Sequence, residues 1–292
     1  WVLGGGAARG AAQVGVLRAL LEAGIQPPDR IIGVSVGALN GLVLACHPSL
    51  AGVHMLEATW SSRLAADVFR ARPVESLLTR LGGTGGLSLL PPTALSRLVR
   101  RQLTMLGVSR FEDLSVPFQV VVTSLGDGQA HLLERGELYP ALVASSAIPG
   151  VFPGAEVAGE RYYDGGVADN DPLVRAVEQG ADEVLAITLC GTSGGTPRPR
   201  RWLELLGQSV AVMLNQRMLA DFDRVRARAR VVVFAPQLPP GSAWSLRADD
   251  VARLVARTRE AAARWLDEQG GPPRESMVVR LSVAAGPELG AP

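Results

Sequence analysis

Twice near its start this chain runs an apolar strand into a glycine-bounded turn and then into a helix. Val2-Leu3 enters Gly4-Gly5-Gly6-Ala7-Ala8-Arg9-Gly10, and the strand from Arg30 to Val34 enters the turn of Gly33-Val34-Ser35-Val36-Gly37. Glycine is unfavourable inside regular structure, so such clusters mark points where the backbone turns sharply or is closely approached. Ala11 to Ala23 holds helix formers with apolar residues at Val16, Leu17, Leu20 and Leu21, and Gly24 stands where a C-terminal cap belongs. Val36 to Ala45 reads as the helix after the second turn. The repetition predicts a parallel α/β sheet.

The alternation continues downstream. Residues 52 to 81 read as helical, Gly82 to Pro92 as a loop rich in glycine and proline, and Thr93 to Leu106 as a further helix. Gly82 to Leu106 is a candidate cover or lipid-contacting segment, with core packing as the plainer alternative. Phe118 to Ser124 and Ala130 to Glu134 read as strands around Gly126-Asp127-Gly128, a hairpin composition that makes the sheet mixed. Pro140 to Ala147 reads as a short helix, and Arg161 to Tyr163 as a strand entering Asp164-Gly165-Gly166. Asn170-Asp171-Pro172 offers cap residues and a proline ahead of a helix reaching Gln179. A strand at Glu183 to Leu189, a long amphipathic helix over 202 to 229 with arginines on its polar side, a strand at Val231 to Phe234 and a helix at Leu246 to Asp267 follow. Beyond Gly270 the pattern is loose, so the expected division is one domain over 1–268 and a tail over 269–292.

Composition narrows the function classes. At 292 residues and 47% apolar content the chain can bury a large core, and a formal charge of +1 announces neither a nucleic-acid nor an acidic partner. The arginines of residues 217 to 230 are interrupted by Asp221 and Asp223, which argues against nucleic-acid binding. Cys46 and Cys190 sit in apolar runs with no metal-site or disulfide spacing. The longest apolar stretch, Ile31 to Cys46, is too short and too rich in glycine to span a membrane. The chain opens on Trp1, leaving a removed upstream signal open; a cytoplasmic or peripheral membrane location is expected.

Gly33-Val34-Ser35-Val36-Gly37 is a G-x-S-x-G sequence. On a strand-to-helix turn this pattern exposes a serine Oγ and points the next backbone N–H at a developing oxyanion. The opening glycines could instead cradle a dinucleotide, but Arg9 occupies the third glycine position and the second strand ends at Ser35 without an acidic residue for a ribose. An oxyanion hole uses the same fan of N–H groups. For the base, a Ser35, Asp113 and His131 triad is formally available, with His47 and His54 the other histidines. Asp164, presented on a tight turn before two glycines, is the alternative; an ordinary carboxylate is a weak base, so this role requires desolvation or a pre-formed hydrogen bond.

These blocks, in this order, resemble the patatin-like phospholipase family. The matches are LGGGAARG, GVSVG and DGG, together with ASSAIPGVFP over 144 to 153 and the Asn170-Asp171-Pro172 segment. The resemblance extends over roughly residues 2 to 268 and implies a three-layer α/β/α sandwich with a mostly parallel central sheet. It also implies a serine lipid acyl hydrolase with Ser35 as nucleophile and Asp164 as direct base. Backbone N–H groups of Gly5, Gly6, Ala7, Ala8 and Arg9 would form the oxyanion hole, with Gly4, Gly10, Gly33, Gly37, Gly165 and Gly166 as motif glycines. No metal or cofactor is implied. The family loop has glycine where Ala7 stands, a costly exchange if that position needs a positive φ, and many bacterial members have histidine where Gln13 stands.

The expected substrate is a lipid or other acyl ester, with peripheral membrane contact and oligomeric state left open and no nucleic acid. Two alternatives stay in view. One is a carboxylesterase, thioesterase or acyltransferase on soluble acyl groups; the other is a catalytically weak regulatory scaffold, motivated by Ala7.

Overall fold

The computed structural model describes residues 1–62, 93–190, 202–238 and 248–283. In chain order the strands are β1 (Val2–Leu3), β2 (Ile31–Val34), β3 (Phe118–Ser124), β4 (Ala130–Leu133), β5 (Ala155–Val157), β6 (Glu160–Asp164), β7 (Glu183–Ile187), β8 (Arg230–Gln237) and β9 (Met277–Ser282). The helices are α1 (Gly10–Glu22), α2 (Val36–Cys46), α3 (Leu50–Trp60), α4 (Thr93–Leu106), α5 (Leu138–Ser145), α6 (Leu173–Glu178), α7 (Trp202–Val225) and α8 (Ala248–Gln269). Short 3-10 turns cover Ala7–Arg9, Phe111–Asp113 and Gly165–Val167.

The nine strands of the described residues join one sheet, in the order β5-β6-β3-β2-β1-β7-β8-β9, with β4 paired to β3. From β3 to β9 the neighbours are parallel, while β4, β5 and β6 are joined by antiparallel pairings. Strand alternation sorts apolar side chains onto two faces. Leu3, Ile31, Leu185, Ile187, Val232 and Phe234 enter one core, packed by α1, α2, α3, α4, α5 and α8. Val2, Ile32, Val34, Val184, Ala186, Val231 and Val233 enter the other, under α6 and α7. The expected three-layer α/β/α sandwich with a mostly parallel central sheet is the observed architecture.

One detail of register positions everything that follows. β3 has two edges, and β4 occupies one of them along Val120 to Thr123. β2 pairs with β3 from Phe118 to Val121, and β6 pairs with it antiparallel from Val122 to Ser124. With β4 on the far edge, β2 and β6 must share the near one, end to end. Val34 lies opposite Val121 and Asp164 lies opposite Val122, so the strand that delivers Ser35 stops where the strand that delivers Asp164 arrives.

Several elements differ from the sequence reading. The stretch past Gly270 contains β9, which pairs with β8 over six residues from Val232 to Gln237, so the sheet continues beyond residue 268. Its apolar positions Val279 and Leu281 alternate with exposed ones, a half-buried edge strand rather than a loose tail. β5 was not anticipated: its turn to β6 is Ala158-Gly159, with φ of 52° and 86°, a two-residue turn carrying alanine where asparagine or aspartate usually signals it. Asn170 and Asp171 do not cap α6, whose N-cap is Pro172. The helix expected over 52 to 81 is seen as α3 up to Trp60; residues 63–92 lie outside the described residues, and the part of the candidate cover that is described, Thr93–Leu106, is α4, with Leu95, Leu98, Val99 and Leu103 packed in the core.

The glycines around Ser35 are dictated by this packing. A Cβ on Gly37 would strike the carbonyl of Leu3, and one on Gly33 would lie 2.6 Å from the Ala38 Cα. Both obstacles are backbone. Gly37→Ala is therefore expected to destabilise the fold by about 3 kcal/mol, read as a lowered urea midpoint with unchanged slope; an unaffected midpoint would mean that β1 and α2 are not held at this distance.

Candidate active site

Ser35 sits at the junction of β2 and α2 with φ 53° and ψ −123°, a conformation outside the regions that L-residues prefer and costing on the order of 1–3 kcal/mol. The strain is held from both sides. Its N–H donates to the Ser145 Oγ at 2.9 Å, and its carbonyl accepts from the Ala38 and Leu39 N–H groups of α2. The side chain is 7% exposed.

Asp164 ends β6 and is 5% exposed. Its N–H donates to the Ala147 carbonyl, and the Thr123 hydroxyl donates toward its carbonyl at 2.9 Å and that of Gly165 at 3.3 Å. The Oδ1 accepts from the Gly166 N–H at 2.8 Å, and the carboxylate is hydrogen-bonded by the Ser35 side chain. Burial pushes this carboxyl up to about 6, against the opposing pull of the Ser35 and Gly166 hydrogen bonds. Gly165 lets the chain cross β3 closely, since a Cβ there would meet the Val121 carbonyl.

The glycine loop lies beside this pair. A Cβ built on Gly5 would be 3.3 Å from the Ser35 Cβ, so the loop backbone runs along the serine. Gly6 adopts φ 169° and Ala7 φ 50°, then the 3-10 turn over Ala7–Arg9 leads directly into α1. The N–H groups that open such a turn have no partner within it. Ala7 is thus in the left-handed region, where a Cβ costs about 1–2 kcal/mol.

A buried polar network that the sequence reading did not assign holds the loop. The Gln13 amide donates to the carbonyls of Gly4 at 3.4 Å and Ile187 at 3.2 Å, and its Oε1 accepts from Asn40. Asn40 also donates to the Gly10 carbonyl and accepts from the Trp60 indole at 2.9 Å. A glutamine amide brings two donors and an acceptor to this position, matching the three groups it meets. On the other side, Asn170 lies between the loop and the aspartate turn: a Cβ on Gly5 or Gly166 would come within 2.6 or 2.7 Å of its Oδ1. Its amide donates to the Asp171 Oδ2 and contacts the Gly5 carbonyl at 3.5 Å. The signal for Ser145 and Asn170 lay in the ASSAIPGVFP and Asn-x-Pro blocks, but their contacts depend on distant strands.

The alternative triad is not assembled. The His131 Nε2 is 2.8 Å from the Asp127 Oδ2 at the β3–β4 turn, and its ring packs edge-on against Tyr162. Asp113 accepts from the Ser109 and Arg110 N–H groups before β3, at the end of the sheet opposite Ser35. His47 and His54 are exposed. Among the described residues, no group of three or more His, Cys, Asp or Glu is arranged to hold a metal ion.

The family model described as patatin-like phospholipase matches residues 1–177. An NTE family protein of Mycobacterium tuberculosis is 29% identical over 219 residues, covering 73% of this chain and 56% of its own. Patatin-like phospholipase domain-containing protein 7 of Rattus norvegicus is 32% identical over 189 residues, 64% of this chain and 13% of its own. Lysophospholipase nte1 of Neurospora crassa is 27% identical over 197 residues, 68% of this chain and 12% of its own. The chain thus spans about half the length of the mycobacterial relative and a small part of the other two.

Two stability tests follow from the loop and its neighbour. Ala7→Gly relieves the left-handed Cβ and is expected to raise unfolding free energy by about 1 kcal/mol in urea; a loss would mean that Ala7 is not strained. Asp171, 4% exposed against Gly4, has its carboxyl pushed up to about 7 by burial. A raised folded value means that this group's stabilisation is complete below the ordinary carboxylate range and is lost as pH rises toward 7. Asp171→Asn, which does not ionise, should therefore gain stability relative to the parent between about pH 4 and pH 7 and stay level above. A difference independent of pH would refute the assignment.

Proposed function

Because the chain belongs to the patatin-like phospholipase family, we propose that it is a serine lipid acyl hydrolase working through Ser35 and Asp164 with no histidine between them. The observation that carries this reading is the abutment of β2 and β6 on one edge of β3, which brings a strained serine against a buried carboxylate.

In the first step Asp164 accepts the Ser35 hydroxyl proton as Oγ attacks the ester carbonyl carbon. Charge gathers on the carbonyl oxygen, which is received by backbone N–H groups of the loop from Gly5 to Arg9. Collapse breaks the ester C–O bond, and the leaving alkoxide takes the proton back from Asp164 as the alcohol departs. Water then gives a proton to Asp164, attacks the acyl-enzyme and releases the fatty acid, returning the proton to Ser35. Burial serves this cycle by raising Asp164 from a poor base toward one poised near neutrality. The Gln13 and Asn40 amides act indirectly, holding the loop carbonyls so that its N–H groups face the site.

Hydrolysis needs Asp164 ionised, so kcat/KM should rise with pH to a plateau with an apparent pKa of about 6 and fall about tenfold per unit well below it. A limb centred on the unperturbed carboxylate range would remove desolvation from the mechanism. Ser35→Ala and Asp164→Asn should each cost at least about a thousandfold in turnover with the fold intact, while His131→Ala keeps parental rates. A lipid-like fluorophosphonate should give one adduct, mapped by mass to Ser35. Loss of activity in His131→Ala with retention in Asp164→Asn would overturn the base assignment. Rates along a series of acyl chain lengths separate a lipid hydrolase from an esterase of soluble acyl groups.

A further inference from the structure

Asn170 follows Asp164 across the short turn of Gly165–Val167. The N–H groups of Ala168 and Asp169 both donate to the Gly165 carbonyl, so the chain folds back and Asn170 returns beside Gly166. Its Nδ2 then faces three acceptors, the Asp171 Oδ2 at 3.0 Å, the Gly5 carbonyl at 3.5 Å and the Cys190 Sγ at 3.5 Å. A backbone carbonyl can only accept, so the amide cannot turn over without setting oxygen against oxygen. The Oδ1 is thereby fixed on the side of the two glycines.

What lies on that side is the reacting pair. A Cβ on Gly166 would be 2.7 Å from the Asn170 Oδ1 and 3.1 Å from the Asp164 Oδ1; a Cβ on Gly5 would be 2.6 Å from the same Asn170 oxygen and 3.3 Å from the Ser35 Cβ. The side chains that these glycines lack would thus meet at one oxygen, between the nucleophile and the base. Those distances set the Asn170 Oδ1 at most about 6 Å from the Asp164 Oδ1 and from the Ser35 Cβ, a span that one water bridges with hydrogen bonds of about 2.8 Å. Ser35, Asp164 and Asn170 are each less than a tenth exposed, so a water between them takes its orientation from these groups rather than from bulk solvent.

We propose that the Asn170 side-chain oxygen is the second acceptor for the hydrolytic water, orienting it for attack and selecting water over alcohols as the acyl acceptor; this rests on the hydrolase reading above. A water held by Asp164 alone turns about that one bond, whereas two acceptors fix both O–H groups and aim a lone pair at the acyl carbon. One O–H gives its proton to Asp164 as the water oxygen bonds to that carbon, and the other stays on the oxygen, donated to Asn170. Collapse breaks the bond from the carbon to the Ser35 Oγ, which takes the proton from Asp164, and the fatty acid leaves with the second proton. An alcohol has one O–H. Once that is directed to Asp164, its alkyl group stands against the Asn170 oxygen and makes no hydrogen bond there.

The test is rapid-mixing hydrolysis of p-nitrophenyl butyrate by the full chain. Asn170→Ala should release the first equivalent of nitrophenol within about twofold of the parental rate, while the steady rate that follows falls at least about tenfold and butyryl-Ser35 accumulates by mass. With methanol present, the ratio of methyl butyrate to butyrate should rise at least about fivefold in the variant. Gly166→Ala keeps the Asn170 amide bonds but sets a methyl group against both oxygens. It should show the same split between the two steps, and it carries the test should Asn170→Ala fold poorly. Both steps falling together with an unchanged product ratio, in a parent that acylates at Ser35, would overturn the proposal and leave Asn170 a brace between loop and turn. A parent that never carries butyrate on Ser35 would remove the hydrolase reading and the proposal with it.

Discussion

Strand β3 receives two oppositely directed strands on one edge, and the site exists because they meet there. Val121 ends the pairing with β2 and Val122 begins the pairing with β6, so a single step along β3 separates the residue beside Ser35 from the residue opposite Asp164. β4 holds the other edge of β3 over the same residues and keeps this junction rigid. All seven residues of β3 are buried, so a one-residue slip would send its side chains to the wrong core and part the serine from the carboxylate together.

The junction is bought with locally unfavourable structure. Ser35 and Ala7 both have positive φ, and Asp164 and Asp171 are carboxyls buried where charge is disfavoured. Each is held by neighbours from other elements: Ser145 on the Ser35 N–H, Gln13 on the Gly4 carbonyl, Thr123 on the Asp164 carbonyl. Strain of this kind persists where the surroundings over-determine it, and here the surroundings are the two packed cores. The same burial that costs stability raises the Asp164 carboxyl to about 6, so the two effects have one cause.

Much of this was legible beforehand where a signal is local. Thr93–Leu106 and Phe118–Ser124 fall where helical and strand composition put them, because a run of helix formers or of apolar β-formers needs no partner to be recognised. β5 and β9 were not legible. One follows an uncharacteristic Ala-Gly turn, and the other is an edge strand whose half-buried alternation over six residues is too weak to stand out. The Asn170-Asp171-Pro172 segment misled, because cap-forming residues are interchangeable with site-forming ones until the neighbouring chain is known; Asn170 turns to Gly5 and Gly166 instead of α6.

The sequence by itself determined the strand-turn-helix order, the serine between glycines and the aspartate before glycines, since each is a matter of backbone conformation within a few residues. Tertiary structure alone decided that Asp164 rather than His131 meets Ser35, because strands far apart in sequence find one another through register. It also decided that Gln13, Asn40 and Trp60 form the brace behind the loop. Those outcomes depend on which surfaces the other elements leave open.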